Sequence, residues 1–482
     1  MRLFDIVLVL LIFILANLFI WKPRFFEMPR LFAIALLLIT TILQFVLDGY
    51  RWQMVPAYIT VIAMILFLSI TRKKKERTDR RKIGWKTSLW TIMSLFLLGI
   101  MVAPTFLMPV FTFEKPTGPY QVGTTVLHWT DLDRKEENAS EPNAYRELMV
   151  QLWYPADTTE SKPVEPYIRH VKAVTKGLEK ALSFPSWTLD HLSLIDSHSF
   201  TNASLSNDQK QYPVLIFSHG LTGFRNQNTF QVEELASHGY IVVGIDHAYD
   251  AAATVYPDGR EILLKKNNLS GFSELGSHIT LWVDDVTFVL DQLEQLNAQP
   301  EFKDHIDLTR IGMFGHSYGG ATAAQMLMKD SRIRAAMNMD GTLYGDPPPD
   351  DGFAKPYLQM NGEQSIDRTV FENSLDKAVA QSGKSKAYYE SFWEESAERR
   401  NLALKNGGYT MTIPKTSHMS FTDFHLFSPL LSAKKAQPRE VHQIINEVSL
   451  AFFDQYVKGT GEPKMSDISD RYPQIHLEQP GR

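Results

Sequence analysis

Four nearly unbroken apolar runs fill the first 113 positions of the chain, at 3–21, 31–47, 54–70 and 89–113. Each is close to the ~20 residues that cross a bilayer as a helix. Polar interruptions are few: Asn17 in the first run, Thr40, Thr41 and Gln44 in the second. No run divides into a wet and a dry face at helical spacing, so the pattern predicts four transmembrane α-helices rather than core helices of a soluble domain. A cleaved signal peptide does not account for the first run, because it lacks a small-residue cleavage site and is followed by Lys22-Pro-Arg24.

Beyond residue 113 the period changes. Short β-branched and apolar runs at 148–154, 214–217, 240–245, 310–314, 333–339, 357–360 and 409–413 read as strands, and amphipathic stretches such as 278–296 and 441–457 read as helices between and after them. This alternation predicts a mostly parallel sheet with helices on both faces, which together with the serine elbow Gly315-His-Ser-Tyr-Gly319 gives the layout of an α/β hydrolase. The expected division is a transmembrane region at 1–113, a linker at 114–145 and a hydrolase domain at 146–482. Two stretches, 156–211 and 365–406, exceed what the plain fold needs and read as cap-like insertions over the strand C-termini. Their aromatics, Trp187, Tyr388, Tyr389, Phe392 and Trp393, each read singly as packing of the cap.

Charge orients the helices. The segment Arg72-Lys-Lys-Lys-Glu-Arg-Thr-Asp-Arg-Arg-Lys82 lies between the third and fourth runs, and such a block stays cytoplasmic. The 22–30 loop is also net basic, while 48–53 holds one acid and one base. These loops agree on an exterior N-terminus and an exterior hydrolase domain, a multi-pass protein of the cell membrane. The basic block is short, lies between spans and lacks interleaved aromatics, so it is no nucleic-acid surface. The chain has no cysteine, which excludes disulfides, thiolate metal sites and a cysteine nucleophile, and an exported domain without disulfides fits a bacterial surface. No phosphate-binding glycine loop or His-Glu-x-x-His site is present, so no cofactor and no metal are expected.

The chemistry concentrates in Gly315-His-Ser-Tyr-Gly-Gly320, which follows an apolar strand and opens a small-residue helix. A serine on so sharp a turn sits in strained backbone, with its hydroxyl clear of the fold and the helix N-terminus beside it. Upstream, a strand ends in Ser-His-Gly220 and leads into Leu221, so the backbone N–H groups of Leu221 and Tyr318 form the candidate oxyanion pair. His219 and His316 are each expected as loop histidines bonded to their own turn. Downstream, Asp340 ends a buried-looking strand and His418 follows the last one, giving the chain order Ser…Asp…His of this fold. By residue pattern alone Glu363 or Asp367 competes with Asp340 as the acid, and His425 competes with His418.

The segments Phe217-Ser-His-Gly-Leu-Thr-Gly-Phe-Arg225, Ser237-His-Gly-Tyr-Ile-Val243, Gly315-His-Ser-Tyr-Gly-Gly320, Asp340-Gly341 and Ser417-His-Met-Ser-Phe-Thr-Asp-Phe424 resemble the plasma-type platelet-activating factor acetylhydrolase family. The resemblance runs from about Arg146 to Lys458. It implies a calcium-independent serine esterase acting on short or oxidised acyl chains of phospholipids. It also implies Ser317 as nucleophile, His418 as base, Asp340 as acid (one strand earlier than usual) and Leu221 with Tyr318 as the oxyanion pair. The transmembrane region and the Thr222-Gly223 and Leu343-Tyr344 surroundings depart from the family, so substrate identity does not carry over with the motifs. Cutinase-like, polyester-degrading and general carboxylesterases share the same elbow. Acyl transfer uses the same acyl-enzyme, and a non-enzymatic receptor or assembly module is the remaining alternative. The expected partner is a small-molecule or lipid ester; oligomeric state is not legible.

Overall fold

A run of apolar residues with no outside partner for its backbone must close its hydrogen bonds internally, and the first part of the chain is accordingly helical. The computed structural model describes residues 1–21, 29–70, 85–139, 141, 143–157, 159–182, 184–265, 269–432, 435–460 and 464–480. These fall into two units. The helical unit comprises Met1–Phe111 with two short later segments, Thr188–Ile195 and Leu426–Leu431. Its helices are α1 (Leu3–Trp21), α2 (Arg30–Leu43), α3 (Val55–Ile70) and α4 (Trp85–Leu107). Leu8, Ile12, Leu37, Ala57, Val61 and Met101 form its buried centre. Three helical stretches, Arg30–Asp48, Trp52–Ile70 and Ser88–Leu107, are long and apolar enough to cross a membrane, judged by length and composition. The first run is a shorter apolar helix over Leu3–Leu18, so three of the four expected spans meet this measure among the described residues. Its start is polar and tied down: Asp48 accepts the N–H groups of Phe4 and Asp5 at 2.8 and 3.1 Å, which satisfies orphan amides of the first turn. Asp5 in turn pairs with Arg51 and accepts from Gln44 Nε2 at 3.1 Å. The basic block 72–82 lies outside the described residues.

The second unit comprises Thr112–Trp187, Asp196–His425 and Ser432–Arg482. It opens with β1 (Gln121–Lys135), β2 (Tyr145–Ala156), β3 (Val164–Pro166), α5 (Val171–Leu182) and β4 (Asp196–Thr201). The parallel core follows: β5 (Tyr212–Ser218), α6 (Thr229–Ser237) and β6 (Ile241–Asp246), then a small hairpin of β7 (Ala253–Val255) and β8 (Glu261–Leu263). Next come α7 (Gly271–Leu296), β9 (Ile306–His316), α8 (Tyr318–Lys329), β10 (Ile333–Met339) and β11 (Tyr357–Gly362). A helical cap of α9 (Glu363–Ile366), α10 (Arg368–Ser382) and α11 (Lys386–Leu404) precedes β12 (Tyr409–Ile413), α12 (Pro438–Phe453), α13 (Met465–Arg471) and β13 (His476–Glu478). The eleven-stranded sheet has the order β13-β12-β11-β10-β9-β5-β6-β2-β1-β4-β3. Its centre, β12 through β6, is parallel, and antiparallel pairings join β13 at one end and β2 at the other. Period-two alternation feeds both faces: Met313 packs in a cluster with α7 and α8, while its neighbour Phe314 meets Phe453 of α12 with ring centroids 5.9 Å apart.

Three differences from the sequence reading concern the sheet edge. The stretch 114–145 is not a bare linker, because β1 pairs with β2 along almost its whole length. Its inward positions include Thr124 and Asp131, so the alternation lacked the apolar signal. Likewise the 156–211 insertion supplies β3 and β4, which extend the sheet beyond β1. The short closing strand β13 was also unforeseen.

One buried ion cluster ties this edge to the core. Arg146 on β2 is 1% exposed and donates to both oxygens of fully buried Asp285 on α7, at 3.0 and 2.6 Å, and to Glu136 at 2.6 Å. Removing one partner strands the other charge in the core. Arg146→Met is therefore expected to lower stability by about 3–5 kcal/mol, read by thermal or urea unfolding of the full chain. An unchanged midpoint would mean that the cluster is solvated.

Candidate active site

The turn between β9 and α8 is built by close backbone contact. Ser317 lies at φ 55 and ψ −118, a conformation that L-residues avoid. Its N–H donates to Met339 O at 2.9 Å, and Ala321 N returns to Ser317 O at 3.1 Å. A Cβ at Gly319 would stand 2.0 Å from Ser218 O, and one at Gly315 would stand 2.3 Å from the Gly319 carbonyl carbon. Only glycine at both places lets α8 press onto the ends of β5 and β9, and this pressure holds Ser317 in its strained turn.

The structure brings Ser317, His418 and Asp340 together. His418 Nε2 is 2.9 Å from Ser317 Oγ, and His418 Nδ1 is 2.7 Å from Asp340 Oδ2. The carboxylate can only accept, so Nδ1 carries the proton and Nε2 presents a lone pair to the hydroxyl. Asp340, itself at φ 58, also accepts from Gly362 N at 2.7 Å and Ser365 Oγ at 2.6 Å. Its side chain is 2% exposed, against 44% for His418, so the acid is sealed while the imidazole faces the open side. The competing residues stand elsewhere. Glu363 accepts from Lys415 N at 2.9 Å, and Asp367 caps α10 through Thr369 N and Val370 N. His425 is buried, which pushes its pKa down to about 4.

The Gly220–Leu221 turn lies against the elbow: a Cβ on Gly220 would be 3.2 Å from Ser317 Cβ. Leu221 packs on the cluster of Tyr318, Leu275, Ile279 and Trp282, with Tyr344 beside it. Tyr318 is the first residue of α8, so its N–H is one of the amides that a helix leaves without an internal partner. The turn that carries Leu221 and the first residue of α8 thus both lie against Ser317. Of the five cap and insertion aromatics, Phe392 joins this region, with Phe272 at 5.0 Å and Tyr344 at 6.4 Å. Trp393 pairs with Phe371, Tyr388 with Tyr389, and Trp187 is exposed. Arg399 joins cap to site by donating to Leu343 O at 3.0 Å and Gly345 O at 2.8 Å.

The two motif histidines behave differently. His219 Nδ1 donates to Gly220 O at 2.7 Å, within its own turn, and burial pushes its pKa down to about 3. His316 instead reaches across the site, donating from Nε2 to His418 O at 2.9 Å. Sequence reasoning missed several supporting residues. Ser218, His247 and Asp285 form a second Ser–His–Asp line, at 3.1 and 2.9 Å, starting at the end of β5, with all three side chains buried and closed to solvent. A histidine directly after β6 was the available signal for it. Gln227 carried no motif at all.

The sequence profile of platelet-activating factor acetylhydrolase, isoform II, matches residues 108–268 and 283–462. The platelet-activating factor acetylhydrolase of Cavia porcellus is 26% identical over 382 residues, covering 72% of this chain and 78% of the relative. A protein of Arthroderma benhamiae named probable 1-alkyl-2-acetylglycerophosphocholine esterase is 27% identical over 394 residues, covering 76% of this chain and 93% of its own. Among solved structures, a ferulic acid esterase from Streptomyces cinnamoneus superposes with TM-score 0.59 at 25% identity, over 76% of this chain and 99% of that one. The chain thus belongs to the platelet-activating factor acetylhydrolase isoform II family and is a serine-type ester hydrolase.

Proposed function

We propose that this chain is a membrane-anchored phospholipid esterase that removes short or oxidised acyl groups through an acyl-enzyme on Ser317. One observation carries the reading: hydroxyl, imidazole and carboxylate stand in a single hydrogen-bonded line, 2.9 and 2.7 Å per link, on a turn at positive φ. The acetyl-ester names of the relatives support the acyl choice. In the first step Ser317 Oγ attacks the acyl carbonyl carbon while its proton passes to His418 Nε2. Asp340 holds the Nδ1 proton and offsets the imidazolium charge. The Leu221 and Tyr318 amides receive the oxyanion. The C–O bond to the lysolipid then breaks, and Nε2 returns its proton to the departing alkoxide. Water repeats the sequence on the acyl-enzyme and releases the carboxylic acid. The likeness to a ferulic acid esterase favours a second reading, a general carboxylesterase using the same steps.

The four N-terminal helices are proposed as a multi-pass anchor in a bacterial cell membrane. The basic block 72–82 is cytoplasmic and the hydrolase unit exterior, beside the outer leaflet.

Ser317→Ala is expected to cost on the order of 10⁶ in turnover with the fold intact, and a fluorophosphonate should label Ser317 alone. Undiminished hydrolysis by that variant sinks the mechanism. Asp340→Asn should lose on the order of 10⁴ by reversing the imidazole tautomer, while Glu363→Gln stays close to the parent; the opposite ranking moves the acid to the later strand. Phospholipids with graded sn-2 chains, assayed beside nitrophenyl esters of equal length, separate the two substrate readings: a preference for acetylated phospholipid supports the first, and indifference to the glycerophosphate part supports the second. For topology, protease added to intact cells should digest the hydrolase unit. Digestion only after lysis reverses the orientation.

A further inference from the structure

Behind the reacting groups runs a buried polar chain that the catalytic steps do not use. The Gly220 N–H donates to Gln227 Oε1 at 3.3 Å. Gln227 Nε2 donates to His316 Nδ1 at 3.0 Å, and His316 Nε2 donates to the carbonyl oxygen of His418 at 2.9 Å. Each direction follows from the partners. A carbonyl oxygen only accepts, so His316 carries its proton on Nε2. Burial and the neighbouring His418 hold the His316 pKa well below its ordinary value, so the ring is neutral and Nδ1 must accept. Gln227 therefore turns its NH₂ toward that nitrogen and leaves Oε1 for Gly220. Neither side chain has access to water, at 1% and 2% exposure.

The two ends of this chain are the parts that must be registered for acyl transfer. One end is the turn that carries the Leu221 amide; the other is the backbone of the base. Further bonds hold the same two loops together: Asp423 N donates to Gln227 O at 2.9 Å, and Asn228 Nδ2 donates to Phe421 O at 2.8 Å. Among these links, the Gln227–His316 chain alone ends on Gly220 and on His418. The His316 ring also lies directly beneath the turn, since a Cβ on Gly220 would be 2.9 Å from Nδ1.

We propose that Gln227 and His316 are positioning residues that lock the oxyanion turn and the catalytic base into one rigid assembly. The proposal goes beyond the Ser317–His418–Asp340 reading and rests on it. A loose base or a shifted amide misplaces a reacting atom by a fraction of an ångström to an ångström, which costs rate without costing substrate affinity.

The test uses the full chain and a nitrophenyl acetate assay, with every rate divided by the sites titrated with fluorophosphonate. His316→Phe keeps the ring volume and removes both nitrogens. Its kcat should fall about 10- to 100-fold with KM within about twofold of the parent. His316→Gln, whose Nε2 can still reach the His418 carbonyl, should recover to within about threefold. Gln227→Met should lose about tenfold, and the double variant should be no slower than His316→Phe alone, because one chain can be broken only once. A parental kcat per titrated site in His316→Phe, or losses that multiply in the double variant, would overturn the proposal. If the Phe variant yields no titratable sites, Gln227→Met decides alone: a kcat loss at constant KM supports the proposal and a parental kcat overturns it. Ser317→Ala serves as the control, since activity persisting there removes the triad reading and this proposal with it.

Discussion

The constraint on which the rest of the hydrolase unit depends is the backbone of Ser317. A residue at φ 55 does not stay there unaided; the strain is worth on the order of 1–3 kcal/mol and must be held from several sides. The holding elements are α8 below, with Gly319 against the carbonyls of Ser218 and His219, and β10 beside it, through the Ser317–Met339 bond. Because β5, β9 and β10 are adjacent parallel strands, these contacts converge at one end of the sheet. The loops leaving those strands carry the Leu221 amide, the serine and Asp340, so the geometry that strains the serine also gathers its partners.

Electrostatics follow from the same crowding. Burial lowers the pKa of His219, His247 and His316, and each is bound in a way that uses its neutral form. His418 alone among the four presents its ring to the open side. In the proposed mechanism, which charges the His418 imidazole during turnover, the neighbouring imidazoles contribute dipoles and no competing charge. Burial, which penalises charge on His219, His247 and His316, accounts for how these rings can lie close together without mutual repulsion.

Much of this was legible in the sequence where side chains speak by type and period. The buried strands of the parallel core are runs of Val, Ile, Leu and Met, and the elbow announces itself through glycines that nothing larger could replace. The edge was less legible. β1 carries Thr, His and Asp among its half-buried positions, and its pairing with β2 comes from backbone hydrogen bonds that leave no apolar trace. The ion pair of Asp5, near the start of the first apolar run, with Arg51 was equally hidden, because hydropathy does not reveal a partner in a distant loop. Gln227 and Asp285 were invisible for another reason: their partners lie 89 and 38 residues away, and a polar residue on a loop or helix does not reveal which distant atom it meets.

The position of Asp340 has a consequence for how such a protein can diversify. The acid follows β10, so the whole stretch from α9 to α11 is spliced into the chain after the acid and before the base. Ser365 of that stretch bonds to the carboxylate beside Gly362 of β11, and Arg399 grips the loop beyond. The last turn of the stretch, with Ala403 and Leu404, packs into the core, while most of α10 is exposed. A change of length in its exposed part would alter what stands over Phe272 and Tyr344, while Ser317, Asp340 and His418 keep their registration on strands that the stretch does not interrupt.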